Sequence, residues 1–488
     1  MRVLIAASEC APLVKTGGLA DVIGALPGAL AGAGVEARVM LPGYPPVLAA
    51  LDAVTDLGPV DPLPDGIPGS GARVLAAEAA GLSLLVLDAP ALFVRQGGIY
   101  ESGGMGWPDN HLRFGAFCRA VAEIGVAGAA GWRPDVVHLN DWQTGLVPLF
   151  LEREAAEAGV AAPPTLITIH NIAYQGLFGR EAIGALGLPP SGFTPEGYEF
   201  WGEVGFLKAG IQTADAITTV SPGYAREILT PAFGLGLEGV LAARRDRLSG
   251  ILNGADTAVW NPAADPHLPA AYSAAEPAGK GAAKAALIAR FGLERDGAGP
   301  LLVVVSRLTA QKGIDLLLAA LPGFLARGGR FALLGSGDAA LEASVQAAAK
   351  ADPDRVGVVI GYDESLAHLL FAGGDAIAVP SRFEPCGLTQ LYGLRYGTLP
   401  LVARTGGLGD TVIDANPAAR AMGVATGFVF APATVDALAG ALDRLADAWA
   451  EPAVWQGMMA RAMAQPVGWE ASAGAYAALY GRLAAGDG

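Results

Sequence analysis

Residues Pro380 to Asp410 read P-S-R-F-E-P-C-G-L-T-Q-L-Y-G-L-R-Y-G-T-L-P-L-V-A-R-T-G-G-L-G-D. Glu384 precedes a Pro-Cys-Gly turn, a helix is expected to start at Leu388 to Gln390, and the apolar run Leu399 to Ala403 reads as a short strand. A Gly-rich turn follows at Thr405 to Gly407. The turn has an echo near the N-terminus, where Lys15-Thr-Gly-Gly-Leu-Ala-Asp21 matches Arg404-Thr-Gly-Gly-Leu-Gly-Asp410, each led by a basic residue. The echo points to two halves facing one site.

Outward from this stretch, short apolar runs alternate with helical patterns in two series. Val3 to Ala7, Val35 to Leu41, Leu82 to Leu87, Val136 to Leu139, Leu166 to His170 and Ala216 to Val220 read as strands, with a helix over Leu19 to Gly32. Leu301 to Val305, Phe331 to Leu334, Val356 to Ile360, Ala376 to Val379 and Leu399 to Ala403 repeat the pattern. The fold class is therefore α/β with the doubly wound arrangement present twice. Gly58 to Gly71 and Gln96 to Asn110 lack any period and are expected as surface loops. A boundary is expected near Ser249 to Asp256, followed by irregular chain over Asn261 to Gly279. A final helical pattern, Trp469 to Leu483, has no strand after it.

The 488 residues exceed what one hydrophobic core commonly organises. Cys10, Cys118 and Cys386 are far apart in sequence, which supports neither a disulfide framework nor a zinc site and fits a reducing cytoplasm. No apolar run reaches the length of a membrane span, and Glu9 interrupts any signal-peptide reading of the N-terminus. The net charge of −15 argues against a nucleic-acid partner. Any phosphate must be met by a few placed cations.

In open parallel sheets, ligands bind beyond the C-terminal strand ends. This chain gathers its polar residues there: Lys15 with Gly17 and Gly18, Asn140-Asp141-Trp142, His170-Asn171, Ser306-Arg307 with Lys312, and the Glu384 region. Arg307 and Lys312 are either a solvated loop pair or a fork of donors and a point charge for a diphosphate. The turns at residues 335–337 and 405–407 add backbone donors, but neither matches G-x-G-x-x-G, so a dinucleotide redox cofactor is not indicated. His170 ends a β-rich run and reads equally as a buried core histidine, and Asp141 as a helix N-cap. Glu384 is placed to hold sugar hydroxyls or offset a developing cation. No G-x-S-x-G, H-E-x-x-H or C-x-x-C pattern occurs, which excludes serine hydrolase and zinc readings and leaves no metal ligand set.

At these residues the chain resembles the bacterial glycogen synthase and plant starch synthase family of retaining glucosyltransferases. The motifs are K-T-G-G-L-A-D-V at 15–22, H-L-N-D-W at 138–142, I-H-N at 169–171, V-S-R-L-x-x-Q-K-G at 305–313, G-Y-D-E at 361–364 and S-R-F-E-P-C-G-L-T-Q-L-Y at 381–392. The resemblance implies a GT-B fold, two doubly wound Rossmann-like domains facing across a deep cleft: residues 1–250 on the acceptor side, 251–460 for the nucleotide sugar, and 461–488 a helix crossing back to the first domain. It implies transfer of glucose from ADP-glucose to the nonreducing end of an α-1,4-glucan with retention of configuration, in the cytoplasm, with ADP-glucose a substrate and no cofactor.

Carried over by resemblance, Glu384, His170, Arg307, Lys312, Asp141 and Lys15 are the catalytic set. Gly17, Gly18, Asp21, Asn171, Asn253, Gly335, Cys386, Gly387, Leu388, Thr389, Thr405, Gly406 and Gly407 line donor and sugar. Tyr362 stacks on the base, and Tyr100 and Trp142 touch the acceptor. Tyr392 stands where related transferases carry the second glutamate of E-x7-E, in agreement with the glycogen and starch synthase pattern. The other readings are a GT-B transferase that uses UDP-glucose or makes a different glycoside, and a catalytically silent glucan-binding protein.

Overall fold

The computed structural model describes residues 1–60, 72–294 and 299–486, so most of the loop expected at Gly58 to Gly71 lies outside the described residues. The chain forms two compact units, Met1–Asn253 together with Trp469–Gly488, and Gly254–Gly468.

The first unit is built on nine strands: β1 (Arg2–Ala6), β2 (Glu36–Pro42), β3 (Asp52–Pro59), β4 (Arg73–Ala79), β5 (Leu82–Asp88), β6 (Val136–Asn140), β7 (Thr165–Ile169), β8 (Ala216–Thr219) and β9 (Leu248–Gly250). Their order is β9-β8-β7-β6-β1-β2-β5-β4-β3. The strands from β9 to β5 are parallel, and β4 and β3 add an antiparallel edge. Central strands such as β1 are continuous apolar runs because both faces are covered, and Val3 to Ala6 are fully buried. Among the helices, α1 (Gly18–Gly32) follows β1, and α2 (Phe206–Thr213) leads into β8.

Two features of this unit escape the sequence pattern. Strands β3 and β4 are absent from the expected series; β3, D-A-V-T-D-L-G-P, is an exposed edge without apolar alternation. The expected loop over Gln96 to Asn110 contains a small hairpin, Glu101–Ser102 with Met105–Gly106.

The second unit has one all-parallel sheet of β10 (Leu301–Val305), β11 (Arg330–Gly335), β12 (Val356–Ile360), β13 (Ala376–Val379), β14 (Leu399–Ala403) and β15 (Phe428–Phe430). Its order is β12-β11-β10-β13-β14-β15. Helices α3 (Ile314–Ala326), α4 (Thr389–Tyr396) and α5 (Gly406–Thr411) each follow the C-terminal end of a strand. Strand β15 is only three residues long, below what periodicity reveals.

The last helix, α6 (Glu470–Ala485), belongs to the first unit. Its Tyr480 hydroxyl lies 2.7 Å from His138 Nδ1 on β6, and Ser472 Oγ donates to the Leu252 carbonyl.

Strand order fixes where each unit can bind a ligand. The order reverses between β1 and β6 in the first unit and between β10 and β13 in the second. At such a switch point the loops leave on opposite sides of the sheet and open a crevice beyond the strand ends.

Candidate active site

At the switch point of the second unit, β10 ends in Ser306-Arg307 and β13 in Pro380-Ser381. A cavity of about 10 Å³, room for roughly one water, lies between them, lined by Ser306, Lys312, Ser381 and Thr389 among others. Lys312 Nζ lies 2.6 Å from Glu384 Oε2, and Ser381 Oγ donates to the same oxygen at 2.8 Å. The loop carrying Glu384 is tied to the Lys312 turn from both sides: Arg382 N–H donates to the Gln311 carbonyl, and Gln311 Nε2 to the Phe383 carbonyl. Arg307, next to the lining residue Ser306, is exposed, and Lys312 is half-buried.

Glycines make this packing possible. A Cβ on Gly406 would stand 2.1 Å from the Glu384 carbonyl oxygen, and one on Gly407 2.3 Å from that of Cys386. Gly406 also has φ +43, and Gly387 φ +73, both left-handed. The sequence T-G-G at 405–407 is thus the start of α5 pressed onto the backbone of the Glu384 loop, with Thr405 buried at the N-cap position. Gly407 N–H donates to the Pro385 carbonyl. Gly335, at the end of β11, plays the same part against Ser306, whose carbonyl oxygen a Cβ would meet at 2.0 Å.

Leu388 occupies the N-cap position of α4 without a side-chain cap, so the helix start aims main-chain donors beyond the sheet edge. Gln390 Nε2 donates to the Cys386 and Gly387 carbonyls and fixes that turn. Tyr362 stands apart at the end of β12, 77% exposed, its hydroxyl on Glu364.

In the first unit the switch point brings together the loops after β1 and β6. Lys15 Nζ pairs with Asp21 Oδ1 at 2.6 Å, across the start of α1. The Thr16 and Gly17 N–H groups donate to Glu9 Oε2 at 2.6 and 3.0 Å, and Tyr100 donates to Glu9 Oε1 at 2.7 Å. Gly18 opens α1, whose N-cap Gly17 offers no side chain.

Asp141 does not act as an N-cap for the turn that follows it. Its Oδ1 instead accepts from the His170 and Asn171 N–H groups at 2.7 and 3.4 Å, across from β6 to the end of β7. Asp141 has φ +57 and ψ −172, a region that side chains other than glycine seldom occupy, which marks stored strain. Burial pushes its carboxyl up to about 7, against the two N–H groups that favour the ionised form.

His170 Nε2 lies 2.8 Å from Asn140 Oδ1, while Asn140 Nδ2 donates to the Ala6 carbonyl. The second bond orients the amide, so the His170 proton sits on Nε2 and Nδ1 is left as an acceptor. Burial lowers His170 to about 3, which keeps it neutral. His138 is likewise lowered to about 3 by burial, held between Tyr480 and Thr168.

Trp142 is packed edge-on against Phe114, with ring centroids 4.9 Å apart, and near Phe178 and Phe206. Its indole therefore supports the loops at this sheet edge from within, and the residue is mostly buried. Asn171 Oδ1 accepts from the Ala173 N–H, shaping the turn after His170. Asn253 lies at the end of the unit beyond β9, and its Oδ1 is buried without a hydrogen-bond partner among the described residues.

Motif reading gave Glu9, Asn140 and Ser381 no role of their own, although Asn140 and Ser381 stand inside the quoted motifs. Each acts by orienting a residue that the reading did name, and the signal available was a polar side chain directly after a buried strand.

Among the described residues, no cluster of three or more His, Cys, Asp or Glu is arranged to hold a metal. No described helix is long and apolar enough to cross a membrane.

The comparisons with known proteins agree with this geometry. Residues 2–243 match the family described as starch synthase catalytic domain, and residues 288–456 that of glycosyl transferases group 1. The chain is 57% identical to a glycogen synthase from Roseobacter denitrificans, covering all of both chains. It is 55% identical to one from Paracoccus denitrificans, over 99% of this chain and all of that one. Among solved structures, the catalytic domain of starch synthase IV from Arabidopsis thaliana, bound to ADP and acarbose, aligns over 99% of both chains with a TM-score of 0.87 and 30% identity. A sucrose-phosphate synthase from Thermosynechococcus elongatus, 19% identical with a TM-score of 0.60, shares the fold over 99% of both chains. With two Rossmann-like units, a lysine–glutamate pair at one switch point and an aspartate–histidine pair at the other, the chain belongs to the glycogen and starch synthase family of GT-B glycosyltransferases.

Proposed function

We propose that this protein transfers glucose from ADP-glucose to the nonreducing end of an α-1,4-glucan, with the anomeric configuration retained. The observation that carries this reading is the end-to-end likeness to bacterial glycogen synthases at more than half of all positions. In the reaction, the bond from glucose C1 to the diphosphate oxygen breaks and its electron pair leaves with the phosphate. Arg307 and Lys312, with the N–H groups at the start of α4, meet that growing negative charge. Lys312 exchanges its contact with Glu384 for the diphosphate, and Glu384 stays beside the cationic sugar ring. The acceptor hydroxyl attacks the face that the phosphate leaves and gives its proton to the departing phosphate.

Asp141, through the N–H groups it holds, fixes the turn that carries His170, whose Nδ1 accepts from a sugar hydroxyl. Lys15 and the Gly17-Gly18 turn are assigned to the diphosphate, and exposed Tyr362 to the base. Positive charge supplied by side chains does the work that a metal does elsewhere, so the reaction draws on no resident cofactor. Three buried cysteines, none in a disulfide among the described residues, fit a reducing cytoplasm.

The test is donor competition. Incubated with maltotetraose and equal ADP-glucose and UDP-glucose, the protein should lengthen the oligomer mainly at the expense of ADP-glucose. Preferential use of UDP-glucose would reassign the base, and no lengthening with either donor would remove the assignment.

A further inference from the structure

The hairpin Glu199–Phe200 and Glu203–Gly205 turns through Trp201 and Gly202, since Phe200 pairs with Glu203. Trp201 has φ +53 and Gly202 φ +84. A two-residue turn with both positions left-handed selects Asn, Asp or Gly at the first place, and an indole there is strained. Trp201 is nevertheless 81% exposed, its ring edge-to-face with that of Phe200 at a centroid distance of 6.0 Å. A folding role does not explain a bulky apolar group that is both strained and wet.

A second residue repeats the anomaly beside it. Leu235 has φ +50 and is 51% exposed, and its carbonyl accepts from Gln175 Nε2 at 3.1 Å. The next residue, Gly236, lies against this hairpin: a Cβ there would stand 3.1 Å from the Phe200 ring and 3.3 Å from Trp201 Nε1.

The platform is joined to the sugar-handling end of the first unit. The excursion from His170 to Gly205 leaves the C-terminal end of β7 and returns to the start of α2, so it sits at the same sheet edge as Asp141. Leu177 pairs with Gly205, Phe206 N–H donates to the Gly176 carbonyl, and Trp142 packs on Phe178 and Phe206. The hairpin is thereby anchored to the residue that follows Asp141.

We propose that Trp201, with Leu235 beside it, is a stacking platform for the α-1,4-glucan chain, outside the residues that handle the transferred glucose. The inference rests on the glucan acceptor proposed above. Pyranose rings present flat C–H faces that lie on an aromatic ring, and an indole is the largest such surface. A polymer held at a second point stays near the protein between transfers, so a weak contact raises its effective concentration.

Trp201→Asn tests this with a residue that the turn prefers, which separates binding from folding. In native gels containing glycogen and no donor, the wild type should be retarded and W201N much less so, while the melting temperature of W201N is unchanged or higher. In kinetics, the ratio of KM for glycogen to KM for maltotriose should rise about fivefold, equivalent to about 1 kcal/mol, and Trp201→Phe should recover most of the loss. Equal retardation of wild type and W201N, an unretarded wild type, or a changed oligomeric mass with an unchanged KM ratio would overturn the platform. The gel reads binding without turnover, so failure of the transfer reaction itself appears only in the kinetic arm.

Discussion

Lys312 Nζ lies 2.6 Å from Glu384 Oε2, so the cation assigned to the diphosphate rests on the carboxylate assigned to the sugar. Glu384 is buried and Lys312 half-buried, and Ser381 Oγ donates to the same carboxylate oxygen. Removing one partner leaves the other charge uncompensated.

Glu384→Gln and Lys312→Ala should each lower kcat by about 100- to 1,000-fold, the loss of about 3 to 4 kcal/mol of transition-state stabilisation. Single-turnover glucose transfer measures it. Turnover within threefold of wild type in both variants would take the pair out of the mechanism.

Gly407→Ala places a methyl group 2.3 Å from the Cys386 carbonyl oxygen, which a backbone shift must relieve. The variant should fold with a stability loss of about 1 to 3 kcal/mol and a raised KM for donor. Urea melts and donor titrations check both, and an unchanged donor KM would separate α5 from the donor site.

Asp141 carries a prediction in pH. Its folded value, near 7, lies above the ordinary carboxylate value of 3.8. Between those values the folded state binds more protons than the unfolded, so this group costs stability progressively as pH rises from about 4 to 7 and fully above 7. Asp141→Asn removes that cost, and its stability relative to wild type should climb across this window by an amount on the order of 4 kcal/mol at most. A stability difference that stays flat with pH would contradict the burial argument.

His138 and His170 behave oppositely. Both are lowered to about 3 by burial, so the unfolded chain binds protons between roughly pH 6.5 and 3 that the folded chain refuses. Their contribution is complete above pH 6.5 and is lost on acidification through that range. Nitrogen NMR of the imidazoles should show both rings neutral at pH 5, with the His170 proton on Nε2. A protonated His170 at pH 5 would refute its assignment as a neutral acceptor.

Much of the fold was legible because parallel strands buried on both faces write themselves as apolar runs, as in Leu301 to Val305 and Val136 to Leu139. Exposed β3 and three-residue β15 carry no such record. At the site, motif residues such as Glu384 and Asp141 were legible by type and spacing. What they touch was not. The strained backbone of Asp141 follows from long-range packing, and the oxygen that Glu9 gives to the Thr16 and Gly17 N–H groups follows from a chain reversal that no period announces. Trp142, read as an acceptor contact, packs edge-on against Phe114 and is mostly buried, a packing that its position in the motif does not announce.

The most direct measurement follows ADP release and oligomer length together. Given ADP-glucose and maltohexaose, the protein should release one ADP for each maltoheptaose formed, with the new linkage α-1,4 by proton NMR. Release of ADP without chain growth, or a β-linked product, would contradict the account.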